Sequence, residues 1–213
     1  MREETTTRTL YTFAELSPEA QEKAIEVARC AGEYFDSKEF VYDDAVTIAA
    51  LFGLEIDRRT WTNAHGYSGS EPTIYFSGFY SQGDGACFEG RYEYKRGALA
   101  AVKAYAPQDT ELYSIVERLQ HAQASNFYKI TCTMKHSGHH YYHSGCMSVD
   151  VEHSEDSYRT VKNEDDFIQA MQDFADWIYN QLESAYEYET SEENARQYLE
   201  NNDAEFTEDG VMI

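Results

Sequence analysis

Apolar residues at helical spacing predict two helices near the start of the chain. The first covers residues 17–34, where Ser17 and Pro18 form a typical helix start, a hydroxyl N-cap followed by proline at the first helical position. A second helix is predicted over residues 38–52 and ends near Gly53, because glycine often follows the last residue of a helix. The apolar positions that indicate the first helix are Leu16, Ala20, Ala24, Val27 and Ala28.

From Leu54 onward the pattern changes to short β-branched and aromatic runs, which are typical of strands. One strand begins at Leu54, a second covers residues 73–80 and a third covers residues 86–94. Glycine-rich turns separate them, so we expect a three-stranded antiparallel meander. Residues 127–134 and 147–152 predict a second hairpin.

Helical spacing returns between and after these strands. Residues 97–105 and 109–124 are predicted helices, Asn163 is the predicted N-cap of a long helix, and residues 191–199 form a shorter one. The strands are grouped together and do not alternate with helices. The sequence therefore predicts an α+β fold, with an antiparallel sheet packed against several helices.

No linker is visible, so residues 1–213 are expected to form a single domain with an acidic, helical C-terminal part at residues 163–213. The formal net charge is −22, from 39 acidic and 17 basic residues. Asp150–Asp209 contains 19 acidic and 3 basic residues, which gives −16 of that charge. Such a field repels nucleic acid and anionic membranes but attracts a partner with a basic surface. The alternative is a solvated exterior that only maintains solubility.

Two further features indicate the cellular setting. The chain contains neither the apolar run of a signal peptide nor the stretch of about 18 apolar residues that a membrane span requires. The four cysteines lie far apart and form no Cys-x-x-Cys pair, so reduced thiols in a cytosol are the simplest interpretation. We therefore expect a cytoplasmic protein.

A histidine-rich segment at residues 136–146 is the main candidate for metal chemistry. Imidazole together with the thiolate of Cys146 suits zinc, although the spacing matches no standard zinc motif. The alternative is that the rings pack and hydrogen-bond on a recognition surface, in which case no cofactor is expected. The candidate zinc ligands are His136, His139, His140 and His143.

If this segment is extended, successive side chains point to opposite faces. His139, Tyr141 and His143 then share one face, and His140 and Tyr142 share the other. Two imidazoles on one face can bind the same metal ion.

The sequence contains no nucleophile elbow, Walker loop, dinucleotide fingerprint or kinase signature. The turn at Asp84 lies between two strands and not before a helix, so it lacks the context of a phosphate-binding loop. A functional alternative pairs Asp84 with Glu89, or with a histidine, as acid and base. The sequence thus favours binding over catalysis, and we assign no catalytic residue.

Tyrosines occur near and within the acidic C-terminal part. A surface of carboxylates and tyrosines suits an arginine-rich partner, because arginine forms both ion pairs and cation–π contacts. The alternative is that several tyrosines line the core. The predicted partner-binding residues are Asp165, Asp166, Asp173, Asp176, Tyr179, Glu183, Tyr186, Glu187, Glu189, Glu192 and Glu193.

Four separated motifs carry a resemblance that spans nearly the whole chain. They are YTFAELSPEAQEKAIE at residues 11–26, IYFSGFYSQGDGACFEGRY at 74–92, HSGHHYYHSG at 136–145 followed by SVDVE, and NNDAEFTEDG at 201–210. Together they resemble a group of bacteriophage and prophage proteins of unknown function, some of which are labelled as the antitoxin of a toxin–antitoxin stability system. The resemblance implies a phage accessory protein in a bacterial cytoplasm.

This resemblance and the charge lead to the first functional hypothesis. Phage accessory proteins often neutralise host defences, and acidic ones can do so by mimicking DNA. We therefore expect an acidic protein that binds and inhibits a host macromolecule, as an anti-CRISPR or antirestriction protein does. The partner would be a basic host or phage protein, such as a nuclease, a CRISPR effector or a toxin.

Three other hypotheses stay open. The first is a small metal-dependent enzyme or ligand-sequestering protein that uses the histidine-rich segment and Asp84. The second is an antitoxin that binds a cognate toxin, although the chain lacks the basic DNA-binding arm that is common in antitoxins. The third is a structural or oligomeric phage component, since tyrosine is favoured at interfaces.

Overall fold

The computed structural model describes five stretches of the chain, residues 8–31, 37–138, 140–156, 158–202 and 204–213. The chain divides into two compact units. Unit 1 comprises residues 1–38 and 184–213, and unit 2 comprises residues 39–183. Whether these units unfold together, as the expected single domain requires, stays a prediction.

The described residues contain helices and antiparallel strands, so the α+β prediction is confirmed. The helices are α1 (Pro18–Ala31), α2 (Lys38–Phe52), α3 (Ala98–Tyr105), α4 (Thr110–Ser125), α5 (Glu164–Glu189) and α6 (Glu192–Asn201). The strands are β1 (Leu54–Ile56), β2 (Arg58–Thr62), β3 (Ser68–Pro72), β4 (Ile74–Ser77), β5 (Gly85–Phe88), β6 (Gly90–Glu93), β7 (Ile130–His136) and β8 (Met147–His153). Short 3₁₀ helices occur at Phe13–Glu15 and Ser144–Cys146.

Side-chain caps explain where several helices begin. Before α1, Ser17 Oγ accepts a hydrogen bond from the Ala20 amide at 3.3 Å. Asp109 caps α4 in the same way, and Ser191 caps α6. Asn163 precedes α5 as predicted, but its backbone has a φ of 57° and its side-chain amide donates to Ser125 Oγ.

Unit 1 has a small core of its own. The ring centroids of Phe13 and Phe206 lie 6.1 Å apart, and α1 and α6 contribute further apolar side chains to the same cluster. Phe206 also forms antiparallel backbone bridges with Tyr11 and Met212. The buried residues of this core are Phe13, Leu16, Ala20, Ala24, Ile25, Ala195, Leu199 and Phe206.

Unit 2 contains a four-stranded antiparallel sheet in the order β1-β6-β7-β8, together with the hairpins β2-β3 and β4-β5. The predicted second hairpin is present as β7 and β8. The predicted meander is present as three longer strands, and each of these is bent in the middle and pairs with both of the others. The three strands are residues 54–62, 68–77 and 85–93.

The three bent strands meet at Asp57, Thr73 and Glu89, one residue from each strand. The Asp57 amide donates to the Glu89 carbonyl at 2.9 Å, and the Glu89 amide donates to the Thr73 carbonyl at 3.0 Å. The Thr73 amide completes the ring by donating to the Asp57 carbonyl at 2.7 Å. Each strand changes its pairing partner at this three-way junction without leaving these backbone groups unpaired.

The core of unit 2 lies between one face of the four-stranded sheet and the helices. Phe174 of α5 is fully buried, and its ring packs edge-on against Phe52 and Phe88 at 5.0 and 5.7 Å. Phe167 packs against Tyr92 of β6 at 5.2 Å. The opposite face of the sheet is polar and largely exposed, as the alternating burial along β6 and β8 shows.

A buried glutamine fixes the turn between α4 and β7. The Gln123 side chain donates from Nε2 to the Ile130 carbonyl at 2.7 Å and accepts at Oε1 from the Ile130 amide at 3.1 Å.

Within the residues that the structure describes, no helix combines the length and the apolar character needed to cross a bilayer.

Candidate functional site

The predicted partner-binding residues belong to both compact units. Unit 2 contains Asp165, Asp166, Asp173, Asp176, Tyr179 and Glu183, all on α5. Unit 1 contains Tyr186, Glu187, Glu189, Glu192 and Glu193. A single docking surface made from all eleven residues stays a prediction, and the two groups are described separately.

On α5, four of the five predicted acidic residues of unit 2 follow a stripe along one side of the helix, and the exposed Asp165 lies outside it. Asp166, Asp173, Asp176 and Glu183 are separated by seven, three and seven residues. At about 100° per residue, seven residues nearly complete two turns, so these side chains point in similar directions. The opposite side of α5 carries the buried core residues, including Phe167 and Phe174.

The start of helix α4 adds two more carboxylates to this stripe. Asp109 caps α4 through Oδ1 and accepts a hydrogen bond at Oδ2 from Trp177 Nε1 of α5 at 2.8 Å. Glu111 lies in the first turn of α4, close enough to Asp109, Asp173 and Asp176 to be affected by their charges. The structure thus brings together acidic residues from two elements.

These carboxyl groups perturb one another. The pKa of Glu111 is raised above its usual value of 4.5, first by desolvation and then by the charges of Asp109, Asp173 and Asp176. The pKa of Asp176 is raised above 3.8, again first by desolvation, although the residue as a whole is exposed. A hydrogen bond from Ser144 and the nearby His143 partly oppose that increase. Concentrated negative charge at a surface is therefore a property of this site.

Arg118 neutralises part of the same stripe. Its guanidinium group forms an ion pair with Asp173 and lies 3.9 Å from Asp166. Both ion pairs hold α4 against α5. Asp166 and Asp173 therefore have a structural role, whereas Glu111, Asp176 and Glu183 form no ion pair among the described residues.

Aromatic residues border the stripe at its C-terminal end. The hydroxyl group of Tyr179 donates to the Gly78 carbonyl at 3.3 Å, and its ring lies 5.6 Å from that of Phe79. Tyr80 follows in the same loop and is 82% exposed. The pKa of Tyr179 is raised, first by desolvation and then by the charges of Glu183 and Asp84. We call Asp109, Glu111, Asp173, Asp176, Tyr179 and Glu183 the acidic–tyrosine cluster.

The acidic residues predicted in unit 1 include two with local partners. Glu189 accepts hydrogen bonds from the backbone and side chain of Ser37. Glu192 forms an ion pair with Arg196 one turn later in α6, at 3.1 Å. Glu187 and Glu193 are exposed, and Tyr186 is half-buried.

The histidine-rich segment shows the expected alternation at Tyr141, Tyr142 and His143, whereas the ring of His140, expected on the Tyr142 side, lies against Tyr141. The rings of Tyr141 and His143 are stacked on one side at 6.3 Å. Tyr142 points to the other side, where it stacks on Tyr75 at 5.5 Å and lies 5.3 Å from His136. The aromatic rings of this segment therefore pack against the β4 strand and against one another.

The ring nitrogens of two candidate zinc ligands point to different partners. His136 Nε2 lies 3.1 Å from the Tyr141 carbonyl, and His143 Nε2 lies 3.4 Å from Cys146 Sγ. Across the stretches that the structure describes, no three His, Cys, Asp or Glu residues are placed to hold a metal ion. His140 is exposed, with its ring edge-on to Tyr141, and His139 lies outside the described residues. A zinc site stays a prediction, which zinc analysis of tag-free protein would test.

Asp84 and Glu89 take part in separate hydrogen-bond networks. Asp84 Oδ2 accepts from the amides of Tyr80 and Ser81, at 2.9 and 2.7 Å, and so holds the β4-β5 turn. Glu89 Oε1 accepts from the Tyr75 hydroxyl at 3.1 Å and from the His136 amide at 3.3 Å. These contacts give Asp84 a structural role in the turn.

Asp109 and Glu111 are the members of the cluster that sequence reasoning missed. An aspartate before a helix and a glutamate in its first turn are typical of an ordinary helix start, so neither residue attracts functional attention. Heptad spacing of carboxylates on α5 could have indicated the stripe itself. That Asp109 and Glu111 at the start of α4 lie beside this stripe follows only from the tertiary packing of α4 against α5.

Comparison with known proteins places the chain in one family. No curated protein and no solved structure shows detectable similarity to it. Residues 38–192 match a family described as a domain of unknown function (DUF8835), and this region includes all of unit 2 and the acidic–tyrosine cluster. The match covers well over half of the 213 residues, so the chain belongs to this family.

Proposed function

We propose that this protein binds a basic partner protein through the acidic–tyrosine cluster of unit 2. The observation that carries the proposal is that carboxylates from α4 and α5 converge there: Glu111 lies within range of the charges of Asp109, Asp173 and Asp176. The pKa values of Glu111 and Asp176 are raised first by desolvation and then by these neighbouring charges. A lysine or arginine from a partner would relieve that repulsion. The carboxylates repel one another in the free protein, and binding of a cation removes that repulsion. This contribution adds to the favourable binding free energy of the new ion pairs.

The tyrosines support a partner that presents arginine. Tyr80 is 82% exposed beside Tyr179, so a guanidinium group that pairs with Glu183 can also lie against an aromatic ring. Arginine is suited to both contacts because its planar group forms bidentate ion pairs and stacks on rings. A lysine-rich partner would form the ion pairs alone.

The sequence resemblance favours a host macromolecule as the target. A phage accessory protein with this surface would inhibit a nuclease or a CRISPR effector by occupying its DNA-binding site, and would act in the bacterial cytoplasm. Capture of a cognate toxin is the second candidate, because some proteins of the resembling group are labelled antitoxins. Both candidates require the same acidic surface, and they differ in the identity of the partner.

A matched pair of triple variants tests the cluster. E111Q/D176N/E183Q removes three charges from it, and the control D43N/E55Q/E93Q removes three exposed charges elsewhere in unit 2. An arginine-rich nonapeptide is titrated into each protein by calorimetry. We expect the first variant to bind about tenfold more weakly, and the control to change by less than about threefold. Equal losses in both variants would mean that only total charge matters.

The dependence of the binding affinity on salt and on pH provides two further tests. Binding by the unaltered protein should weaken between about 0.05 M and 0.3 M salt, because exposed charges are screened. It should also begin to weaken on acidification at a pH above the usual pKa values of 4.5 for Glu111 and 3.8 for Asp176, because the pKa values of both groups are raised and they take up protons earlier than free carboxyl groups. A partner is then sought by affinity purification from a bacterial lysate with the unaltered protein and with each of the two triple variants. Competition between this protein and duplex DNA for the captured partner tests whether the partner's DNA-binding site is blocked.

A further inference from the structure

Strand β8 forms one edge of the four-stranded sheet of unit 2, and β7 is its strand partner. The pairing register sets which backbone groups of β8 face β7. The Ser154 amide donates to the Lys129 carbonyl, and the Ser137 amide donates to the Cys146 carbonyl, both at 2.8 Å. In an antiparallel pair the hydrogen-bonded residues alternate, so Ser148, Asp150 and Glu152 also face β7 through their backbones.

The alternate residues of β8, Val149 and Val151, therefore direct their amide and carbonyl groups away from the sheet. Within the described residues, these outward groups have no hydrogen-bond partner. At the ends of β8 the Met147 amide donates to the Ser144 carbonyl and the His153 carbonyl accepts from the Asp156 amide. The open part of the edge is therefore centred on Val149 and Val151, and such an edge is a template for another strand. The backbone can therefore accept an added strand without any rearrangement of the sheet.

The side chains of β8 specify the chemistry of that strand. Asp150 and Glu152 are exposed on the polar face of the sheet. Val149 and Val151 point to the opposite face and are only half-buried, because they lie at the edge of the core. An incoming strand with basic residues on one face and apolar residues on the other would pair with the carboxylates and cover the valines.

A second copy of this chain does not fit the same edge. In an antiparallel pairing of β8 with β8, full overlap places Asp150 opposite Asp150, and a shift of two residues in one direction places Asp150 opposite Glu152. The shift in the other direction places Asp150 opposite Ser148 and pairs fewer residues of β8, so it gains no ion pair. Like charges directly opposite each other destabilise a strand pair. The net charge of −22 adds a general repulsion between copies.

We propose that the β8 edge binds an extended segment of a partner protein in which basic and apolar residues alternate. This segment adds a fifth strand next to β8. Backbone hydrogen bonds at Val149 and Val151 would supply affinity, and Asp150 and Glu152 would select lysine or arginine at alternate positions.

The test uses a capped hexapeptide of alternating lysine and valine, with the full-length protein. Val151→Pro removes an outward amide without removing a bond to β7, and proline is tolerated at such edge positions. The matched control Val151→Thr keeps that amide. By calorimetry we expect V151P to lose about tenfold or more in affinity and V151T to change by less than about threefold.

Two further measurements keep the outcome decisive if V151P is destabilised, which circular dichroism would show. A peptide N-methylated at the amides that face β8 should fail to bind the unaltered protein. D150K/E152K should prefer a glutamate–valine peptide over the lysine–valine one. Equal binding of the methylated and unmethylated peptides, or unchanged binding by V151P, would overturn the β8 proposal.

The β8 edge and the acidic–tyrosine cluster share no residue. E111Q/D176N/E183Q should therefore keep its affinity for the lysine–valine peptide, within the general effect of its reduced charge. If the nonapeptide experiment fails while the hexapeptide binds as described, only the proposed function of the cluster is lost.

Discussion

Gln123 illustrates how a single buried side chain positions a long stretch of the chain. It is fully buried at the end of α4, and its amide group satisfies both backbone groups of Ile130, where β7 begins. Asn126 has a similar role nearby, since it bonds the backbone of Lys162 just before α5. These two amides connect the end of α4 to β7 and to the start of α5. Helix α5 carries most of the acidic–tyrosine cluster, and the start of α4 carries the rest.

Removal of the Gln123 side-chain amide should therefore reduce the folding stability substantially. Gln123→Leu should lower the free energy of unfolding by about 2–4 kcal/mol, because a buried amide and a buried carbonyl of Ile130 lose their partners. Gln120→Leu, a half-buried glutamine one turn earlier, is the matched control and should change stability by less than about 0.5 kcal/mol. Urea denaturation measures both. Equal effects in the two variants would contradict this role for Gln123.

At the scale of elements, the three-way junction decides how the sheet is built. Strands β1 and β6 pair on one side of it, with Ile56 opposite Gly90. A Cβ atom at Gly90 would lie 2.4 Å from the Glu55 carbonyl oxygen, so only glycine allows β1 to approach β6 so closely. Strands β7 and β8 follow β6 in the same sheet, so β8 forms its edge.

Gly90→Ala tests the junction. The added methyl group should separate β1 from β6 and cost about 1–3 kcal/mol of folding stability, because the clash is with backbone and cannot be relieved by a rotamer change. Gly145→Ala is a suitable control, since its Cβ would meet only the His143 ring, at 3.1 Å. Thermal unfolding followed by circular dichroism compares the two. A stable G90A protein with an unchanged melting temperature would argue against this packing.

For the whole molecule, a net charge of −22 on 213 residues dominates the electrostatics. Several of the ion pairs, such as Lys23–Asp209 and Lys129–Glu155, lie on the surface and contribute little. Uncompensated like charges favour the expanded chain through self-repulsion. Binding of a basic partner would offset that repulsion as well as forming contacts.

Salt should therefore stabilise this protein. Raising the ionic strength from 0.01 M to 0.1 M shortens the Debye length from about 30 Å to about 10 Å, so the melting temperature should rise. The control is a neutral osmolyte at matched osmolarity, which leaves charge interactions unscreened. A melting temperature that stays constant or falls with salt would show that self-repulsion is unimportant. One transition in these melts is expected if residues 1–213 unfold as a single domain.

The sequence alone determined the features that depend on local interactions. The Ser17 cap, helical spacing and glycine turns predicted the helices and most strands to within a few residues, because these signals act between near neighbours in the chain. The acidic character of α5 also follows directly from the sequence. The stacking of Tyr142 and Tyr141 on opposite sides followed from simple alternation along an extended chain.

Only the tertiary structure decided which distant residues meet. It brought Asp109 and Glu111 against the α5 stripe and assigned the C-terminal acidic residues to two compact units. It also left the outward backbone groups of Val149 and Val151 without a hydrogen-bond partner among the residues that the structure describes. Such contacts depend on how helices pack and strands pair across many residues, and composition and periodicity contain no information on that pairing. The sequence therefore determined what each element is, while packing decided which surfaces it presents for binding.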